Sequence, residues 1–162
     1  MKSAKLIESL GIVFLALAGI AYAAQRDGKG TETAKAVFAG GCFWSVELLF
    51  DKVDGVVSTV SGFTGGTKKN PTYDEVVTGT TGHAEAVQVT YDPKKVSYEK
   101  LLDVFWHNID PLTPNGQFCD FGNQYRTAIF YNHETQKRLA EKSKTALQSR
   151  FKQPIVTEIV AA

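Results

Sequence analysis

Short β-rich stretches alternate with helix patterns along most of the chain, and this alternation restricts the folds that are open to it. Five stretches rich in apolar and β-branched residues predict strands: AKAVFAG, GVVSTVSGF, HAEAVQVTY, YRTAIFYN and PIVTEIV. Helices are predicted from Phe43 to about Phe50, over TYDEVVTG, after Ser97 as an N-cap, and over 133–151. Residues 110–124 hold two prolines and two glycines, which predicts a long loop of the kind that often carries function.

The order of these elements is strand, helix, strand, short helix, strand, helix, strand, helix, strand. It predicts an α+β fold, a two-layer sandwich in which helices pack on one ferredoxin-like mixed sheet. A parallel α/β sheet is the alternative. The 162 residues suit one domain with a core of its own, and the chain has no internal repeat.

The first 25 residues differ from the rest. Lys2 and Lys5 give a basic start, an uncharged and largely apolar run follows, and the end of that run, Ala21-Tyr22-Ala23, has the small-x-small pattern of a cleavage site. This pattern predicts a signal peptide over 1–23, and the alternative is an uncleaved anchor. The apolar run is short for a bilayer span of ~20 residues, which favours cleavage. We therefore expect a periplasmic or secreted protein that is free of the membrane, with a polar linker over 24–33 before the folded domain over 34–162.

The charge balance argues against some classes of partner. Removing residues 1–23 takes away two lysines and one glutamate, which leaves 16 basic and 16 acidic residues. No basic patch stands out, so nucleic acid is not expected as a partner. Separately, we expect a monomer. The three histidines lack the spacing of metal ligands, so no metal is predicted.

The surroundings of Cys42 suggest chemistry. Cys42 follows a predicted strand and two glycines, at the point where a helix is predicted to begin. The partial positive charge and free N–H groups of a helix N-terminus stabilise a thiolate, and Phe43 and Trp44 next to it could form an apolar pocket. Two alternatives stay open: the rings could belong to the core, and Cys42 could form a structural disulfide with Cys119, the other cysteine of an exported chain.

Six segments together resemble a known family. In order and spacing they look like the type A peptide-methionine sulfoxide reductases, and the resemblance runs from about residue 34 to 160. The segments are GCFW, GFTGG, PTYDEV, GHAEAVQVTYDP, LLDVFWHNIDP and FCDFGNQYRTAIFY. The domain over 34–162 is then expected to be the catalytic domain of such a reductase.

The resemblance implies roles for individual residues. It implies a nucleophile at Cys42 and, at Glu85, the acid that protonates the sulfoxide oxygen. It also implies supporting side chains: Phe43 and Trp44 at the methyl group, Tyr73 and Tyr125 at the oxygen, and the carboxylate of Asp120. From residue types alone, other readings are open for four residues: a solvent-facing Glu85, a surface ring at Tyr73, a turn former at Asp120 and a structural His83.

The implied reaction is the reduction of methionine S-sulfoxide, free or in proteins, which repairs oxidative damage. The oxygen passes to Cys42, and the cysteine sulfenic acid that results is reversible. No bound cofactor is expected, because an external thiol, a thioredoxin-like protein or dithiothreitol, then reduces the sulfenic acid.

The chain departs from the family pattern at several places. Phe63 stands where the family often has tyrosine, and Ser45 stands where some members carry a second cysteine three residues after the first. The sequence ends at TEIVAA, before the C-terminal cysteines through which many members are recycled. Cys119 is the remaining candidate for a resolving thiol, and the alternative is a reductase that stalls after one turnover.

Overall fold

The structure is a computed structural model that describes residues 32–162. The predicted signal peptide and the linker up to residue 31 lie outside the described residues. The elements follow in this order: β1 (Ala34–Gly40), α1 (Phe43–Asp51), β2 (Val56–Thr64), α2 (Tyr73–Val77), β3 (Ala84–Tyr91), α3 (Tyr98–His107), β4 (Gly116–Gln117), β5 (Asp120–Phe121), a short 3-10 helix (Asn123–Tyr125), β6 (Thr127–Tyr131), α4 (Glu134–Gln148) and β7 (Glu158–Ala161).

Five strands form one mixed sheet in the order β2-β3-β1-β6-β7. β1 lies at its centre, antiparallel to both β3 and β6, and β2 is antiparallel to β3. β6 and β7 pair in parallel. The predicted α+β fold with helices on a mixed sheet is therefore confirmed, and the parallel α/β alternative is wrong.

The core lies between this sheet and the helices. Phe38 of β1 stacks on Phe50 of α1 at a ring-centroid distance of 4.9 Å and on Phe105 of α3 at 5.1 Å. Its cross-strand partners, Val87 and Ile129, are buried in the same cluster. Fully burying a side chain of this size contributes about 1.5–3 kcal/mol to the stability of the fold. Phe38 and its partners on β3 and β6 therefore hold β1 in the core.

Helix starts are placed by their caps. The Ser97 side chain accepts a hydrogen bond from Lys100 N at 3.2 Å, as predicted for the start of α3. Thr72 and Glu75 form a reciprocal capping box at the start of α2, the T-x-x-E pattern visible in the sequence. None of the helices among residues 32–162 is long and apolar enough to cross a membrane.

Two predicted segments differ in the structure. The loop over 110–124 contains the hairpin formed by β4 and β5, and the 3-10 helix. The last strand is shorter than predicted, because Pro154 has no N–H to donate and the N–H of Val156 bonds to the carbonyl of Pro111 at 2.9 Å instead of to a neighbouring strand.

Candidate active site

Cys42 occupies the N-cap of α1, directly after the central strand. Its carbonyl accepts hydrogen bonds from Ser45 N at 3.1 Å and Val46 N at 3.3 Å, which opens the helix. Gly41 makes this tight passage possible, since it has a left-handed φ of +93° and a Cβ there would lie 2.8 Å from Cβ of Gln117. The strand-to-helix turn predicted for Cys42 is thus present.

Glu85 lies beside Cys42 and is buried. It is 1% exposed, and its Oε2 accepts a hydrogen bond from the N–H of Phe43, the residue after the cysteine, at 3.0 Å. Burial raises the pKa of this carboxyl above its usual value, the Phe43 N–H opposes the rise, and the negative charge of Asp120 adds to it. The site therefore favours the protonated carboxyl, the form that can donate a proton.

The solvent-facing alternative for Glu85 is wrong, and the reason is the position of its strand. β3 is an inner strand, paired with β1 on one edge and β2 on the other. Its side chains from Ala84 to Val87 are all buried, so alternation along this part of β3 does not separate a buried face from a solvent-exposed one.

Four rings form a cluster next to Cys42, here called the aromatic cluster: Phe43, Trp44, Phe63 and Tyr73. The Phe43 ring lies 5.8 Å from Trp44, 5.7 Å from Phe63 and 6.3 Å from Tyr73, centroid to centroid. Phe43 is buried and contributes to the core, whereas Trp44 is 68% exposed. The alternative that both rings are ordinary core is therefore wrong for Trp44, and the cluster offers an apolar surface open to a ligand.

Tyr125 is the last residue of the 3-10 helix, and its phenol lies near Glu85 and Cys42. Burial raises the pKa of its phenol, and the charges of Glu85, Tyr73, Asp120 and Cys42 near it raise the pKa further. Its hydroxyl therefore stays protonated and can donate a hydrogen bond. Tyr73 reaches the site from the first turn of α2 and is half exposed.

The hairpin of β4 and β5 brings Asp120 to Cys42. Asp120, Cys42 and Ser45 line a common pocket of about 200 Å³. Cys119, at the hairpin turn, is exposed, as expected for a neighbour of an inward-facing residue. Both cysteines are free thiols, so the structural disulfide between Cys42 and Cys119 is absent from the described residues, 32–162.

His83 holds the loop that follows β2. Its Nδ1 accepts from Gly66 N at 3.3 Å and its Nε2 bonds to the carbonyl of Lys68 at 2.8 Å. A Cβ on Gly66 would lie 2.4 Å from the His83 ring, so the glycine lets the loop pack directly on the imidazole. This agrees with the structural interpretation of His83. Among residues 32–162, no group of three or more His, Cys, Asp or Glu side chains could hold a metal ion.

Two polar anchors behind the site were not singled out from the sequence. The buried amide of Gln117 accepts from Asp110 N at 2.8 Å and donates to Asp110 O at 2.7 Å, which fixes the hairpin behind Gly41. Arg126 donates to the carbonyls of Asn123 and Gly82, at 3.0 and 3.3 Å, and so ties the 3-10 helix to the start of β3. Nothing local in the sequence marks Gln117, whereas Arg126 stands in the QYRT segment already noted.

Comparisons with known proteins agree with this geometry. The family model "Peptide methionine sulfoxide reductase" matches residues 34–162. The chain is 56% identical over 128 residues to "Peptide methionine sulfoxide reductase MsrA" of Halalkalibacterium halodurans, covering 78% of this chain and 73% of that protein.

Solved structures share the fold. Methionine sulfoxide reductase A of Corynebacterium diphtheriae has a TM-score of 0.74 and 36% identity, over 83% of this chain and 66% of that one. Reduced Mxr1 from Saccharomyces cerevisiae has a TM-score of 0.77 and 31% identity, over 82% and 77%. Mxr1 in complex with Trx2, at 23% identity and a TM-score of 0.57, over 79% and 75%, matches in fold.

Fold and site thus define an α+β thiol oxidoreductase. The chain belongs to the peptide methionine sulfoxide reductase family.

Proposed function

We propose that this chain reduces methionine S-sulfoxide, free or in proteins, with Cys42 as the nucleophile and Glu85 as the proton donor. The observation that carries the proposal is the 3.0 Å hydrogen bond from Phe43 N–H to Glu85 Oε2, which holds a buried acid at the residue that follows the thiol. A sulfoxide sulfur becomes electrophilic when its oxygen is protonated, and this arrangement keeps a thiol and a proton donor together.

The first step transfers oxygen to the enzyme. The Cys42 sulfur attacks the sulfoxide sulfur while Glu85 gives its proton to the oxygen, and the methionine sulfur gains two electrons as Cys42 is oxidised to the sulfenic acid. Tyr73 and Tyr125 donate hydrogen bonds to the oxygen, the aromatic cluster holds the methyl group through Phe43 and Trp44, and the charge of Asp120 supports the protonated form of Glu85.

A direct test uses both epimers of methionine sulfoxide with dithiothreitol as reductant. We expect methionine from the S epimer only, and we expect Cys42→Ser to abolish its formation. Cys119→Ser is the matched control, since Cys119 is exposed and does not line the pocket at Cys42. Absence of methionine from the S epimer with the unaltered protein would overturn the proposal.

The reductant is a thiol supplied from outside. Two thiols return the Cys42 sulfenic acid to the thiol, with release of water and a disulfide. A thioredoxin-like protein is the proposed physiological source, and the complex of Mxr1 with Trx2 supports this for the yeast protein. The chain acts on its substrate as a monomer.

Cys119 offers a second route for the reset. Its thiol could condense with the Cys42 sulfenic acid to a disulfide and water, which would require the hairpin turn to reorient because Cys119 points to solvent. A reductase without this route stalls after one turnover until thiol arrives. Mass spectrometry after a thiol-free single turnover distinguishes a Cys42–Cys119 disulfide from a persisting sulfenic acid.

The place of action is an oxidising compartment outside the cytoplasm, periplasmic or secreted. The basic start, apolar run and small-x-small site of residues 1–23 support this. N-terminal sequencing of the protein from fractionated cells tests it, with Ala24 as the expected first residue and Met1 as the contrary result.

A further inference from the structure

Cys42 is open on a second side, away from the aromatic cluster. The pocket of about 200 Å³ here called the Ser45 pocket is lined by Cys42 with Ser45, Leu49, Ile109 and Phe118, among others. Of the residues with a proposed role in the oxygen-transfer step, Cys42 and Asp120 line it, whereas Glu85, Tyr125 and the rings of the aromatic cluster do not. Cys42 thus borders an open pocket that neither Glu85 nor the aromatic cluster lines.

Reduction of the Cys42 sulfenic acid by a thiol requires access to the sulfur from such a second side. The sulfenic oxygen comes from the sulfoxide, so it is delivered on the side of Glu85 and the phenols. A thiol that displaces this oxygen attacks the Cys42 sulfur in line with the S–O bond, from the opposite direction. The Ser45 pocket offers open volume away from the delivered oxygen, and Ser45, three residues after the N-cap, shares it with the thiol because N-cap and N3 side chains are neighbours.

Phe118 stands where this pocket meets solvent. It is 71% exposed and its φ of +52° is left-handed, at the two-residue turn between Gln117 and Asp120. Asparagine or glycine is the usual choice for such a turn, and an exposed bulky ring there is unfavourable in both backbone strain and solvation. Strain of this kind concentrates at functional sites, where a side chain must stand in a particular place.

We propose that the Ser45 pocket admits the reducing thiol and that Phe118 is the wall that determines which thiols enter. The inference rests on the proposed function, since it concerns the reset of a Cys42 sulfenic acid. One thiol bonds to the Cys42 sulfur and water leaves with the sulfenic oxygen. A second thiol attacks the mixed disulfide, which restores Cys42 and releases the oxidised reductant. The ligand is a thiol, supplied by a small molecule or by a cysteine of a thioredoxin-like protein.

Filling the pocket tests its use. In a Cys119→Ser background, Cys42 is oxidised with one equivalent of hydrogen peroxide, and reaction of its sulfenic acid with β-mercaptoethanol is followed by mass spectrometry. Leu49→Trp is expected to slow this reaction by about tenfold or more, since misplacing reacting atoms by an ångström costs on the order of 100-fold. The matched control is Leu48→Trp, on the same helix but exposed and outside the pocket, which is expected to leave the rate unaltered.

Opening the pocket is the complementary test. Phe118→Gly removes the wall and relieves the left-handed strain, so the rate with glutathione is expected to rise relative to that with β-mercaptoethanol. Phe121→Gly is the control, because Phe121 is 76% exposed on the same hairpin but does not line the pocket. Equal effects of the two glycine variants would count against Phe118 as the selecting wall.

A third arm replaces the small thiol with a reduced thioredoxin. If Leu49→Trp slows the reaction of the sulfenic acid with β-mercaptoethanol or with thioredoxin, the pocket is supported and the thiol that is slowed is the one that uses it. If it slows neither reaction, the inference is overturned. The failure of the proposed function looks different: the unaltered protein would then release no methionine from the sulfoxide, whereas the peroxide-formed sulfenic acid would still report on the pocket.

Discussion

At the scale of residues, a single backbone N–H, that of Phe43, links the nucleophile Cys42 to the acid Glu85. The amide that follows Cys42 donates to Glu85, so the geometry of the helix start also positions the carboxyl. That N–H opposes the rise in the Glu85 pKa that burial and Asp120 produce, and burial is the larger effect. The net effect is a Glu85 pKa above its usual value, which favours the protonated form that the reaction uses.

Replacing Glu85 by glutamine separates its chemistry from its packing. A glutamine carbonyl oxygen can still accept from Phe43 N–H, so we expect the fold to be retained, while methionine release in a single turnover slows by about 100-fold or more because the proton donor is gone. Quenched-flow measurement of methionine gives the rate, and thermal unfolding checks the fold. A glutamine variant that reacts at the rate of the unaltered protein would show that Glu85 is not the donor.

The pH dependence follows from the raised Glu85 pKa. The reactive carboxyl is the protonated one, so the oxygen-transfer rate is expected to fall as pH rises through that pKa, and Glu85→Gln should lack this limb. Stability follows the same sign: a group whose pKa is raised by folding stabilises below its unfolded pKa and loses that contribution as pH rises through the folded pKa. Urea unfolding at a series of pH values should show Glu85→Gln gaining stability relative to the unaltered protein as pH increases, and a gain as pH decreases would contradict the assignment.

At the scale of elements, the site is the meeting point of a strand end, a helix start and a hairpin. β1 delivers the chain to Gly41, α1 begins immediately after Cys42, and the hairpin packs Gln117 against Gly41. A side chain at Gly41 would press on the buried Gln117, so the position of the thiol depends on a glycine at this place.

Gly41→Ala tests this dependence. A left-handed alanine costs about 1–2 kcal/mol, and its Cβ would press on Gln117, so we expect at least that loss in the free energy of unfolding together with slower oxygen transfer. Gly62→Ala on β2 is the control, since its Cβ would meet nothing within 4 Å and its φ is not left-handed. Equal behaviour of the two variants in urea unfolding would contradict the role of Gly41.

Local patterns predicted most elements because their causes are local. Ser97 marks the start of α3 through a cap that the sequence shows directly. The hairpin of β4 and β5 was missed because its turn places Phe118, and no glycine or asparagine, in the left-handed region. The burial of Glu85 was likewise beyond local pattern, since it results from β3 having a strand on each side. Site roles came from the family resemblance, and they stay predictions until the variants are measured.

At the scale of the whole molecule, the central strand carries both core and site. β1 pairs with two strands, packs Phe38 between α1 and α3, and ends three residues before the helix that holds Cys42 in place. Damage to the core should therefore reach the site through β1.

Phe38→Ala is expected to lower the free energy of unfolding by about 3–5 kcal/mol, the cost of removing a fully buried phenylalanine. Phe121→Ala removes an exposed ring and should change it by less than about 0.5 kcal/mol. Urea unfolding midpoints of the two variants provide the comparison. A similar shift in both would contradict a large contribution of the buried Phe38 ring to the free energy of unfolding.

The most direct measurement is a single turnover of the reduced protein with methionine S-sulfoxide in the absence of any thiol, analysed by quantifying methionine and by peptide mass spectrometry. We predict one equivalent of methionine and an oxidised Cys42 before any reductant is added, seen as one oxygen atom gained on its peptide or, where Cys119 has condensed with it, as a disulfide between the two. No methionine, or an oxygen that appears on the Cys119 peptide while Cys42 stays unmodified, would contradict it.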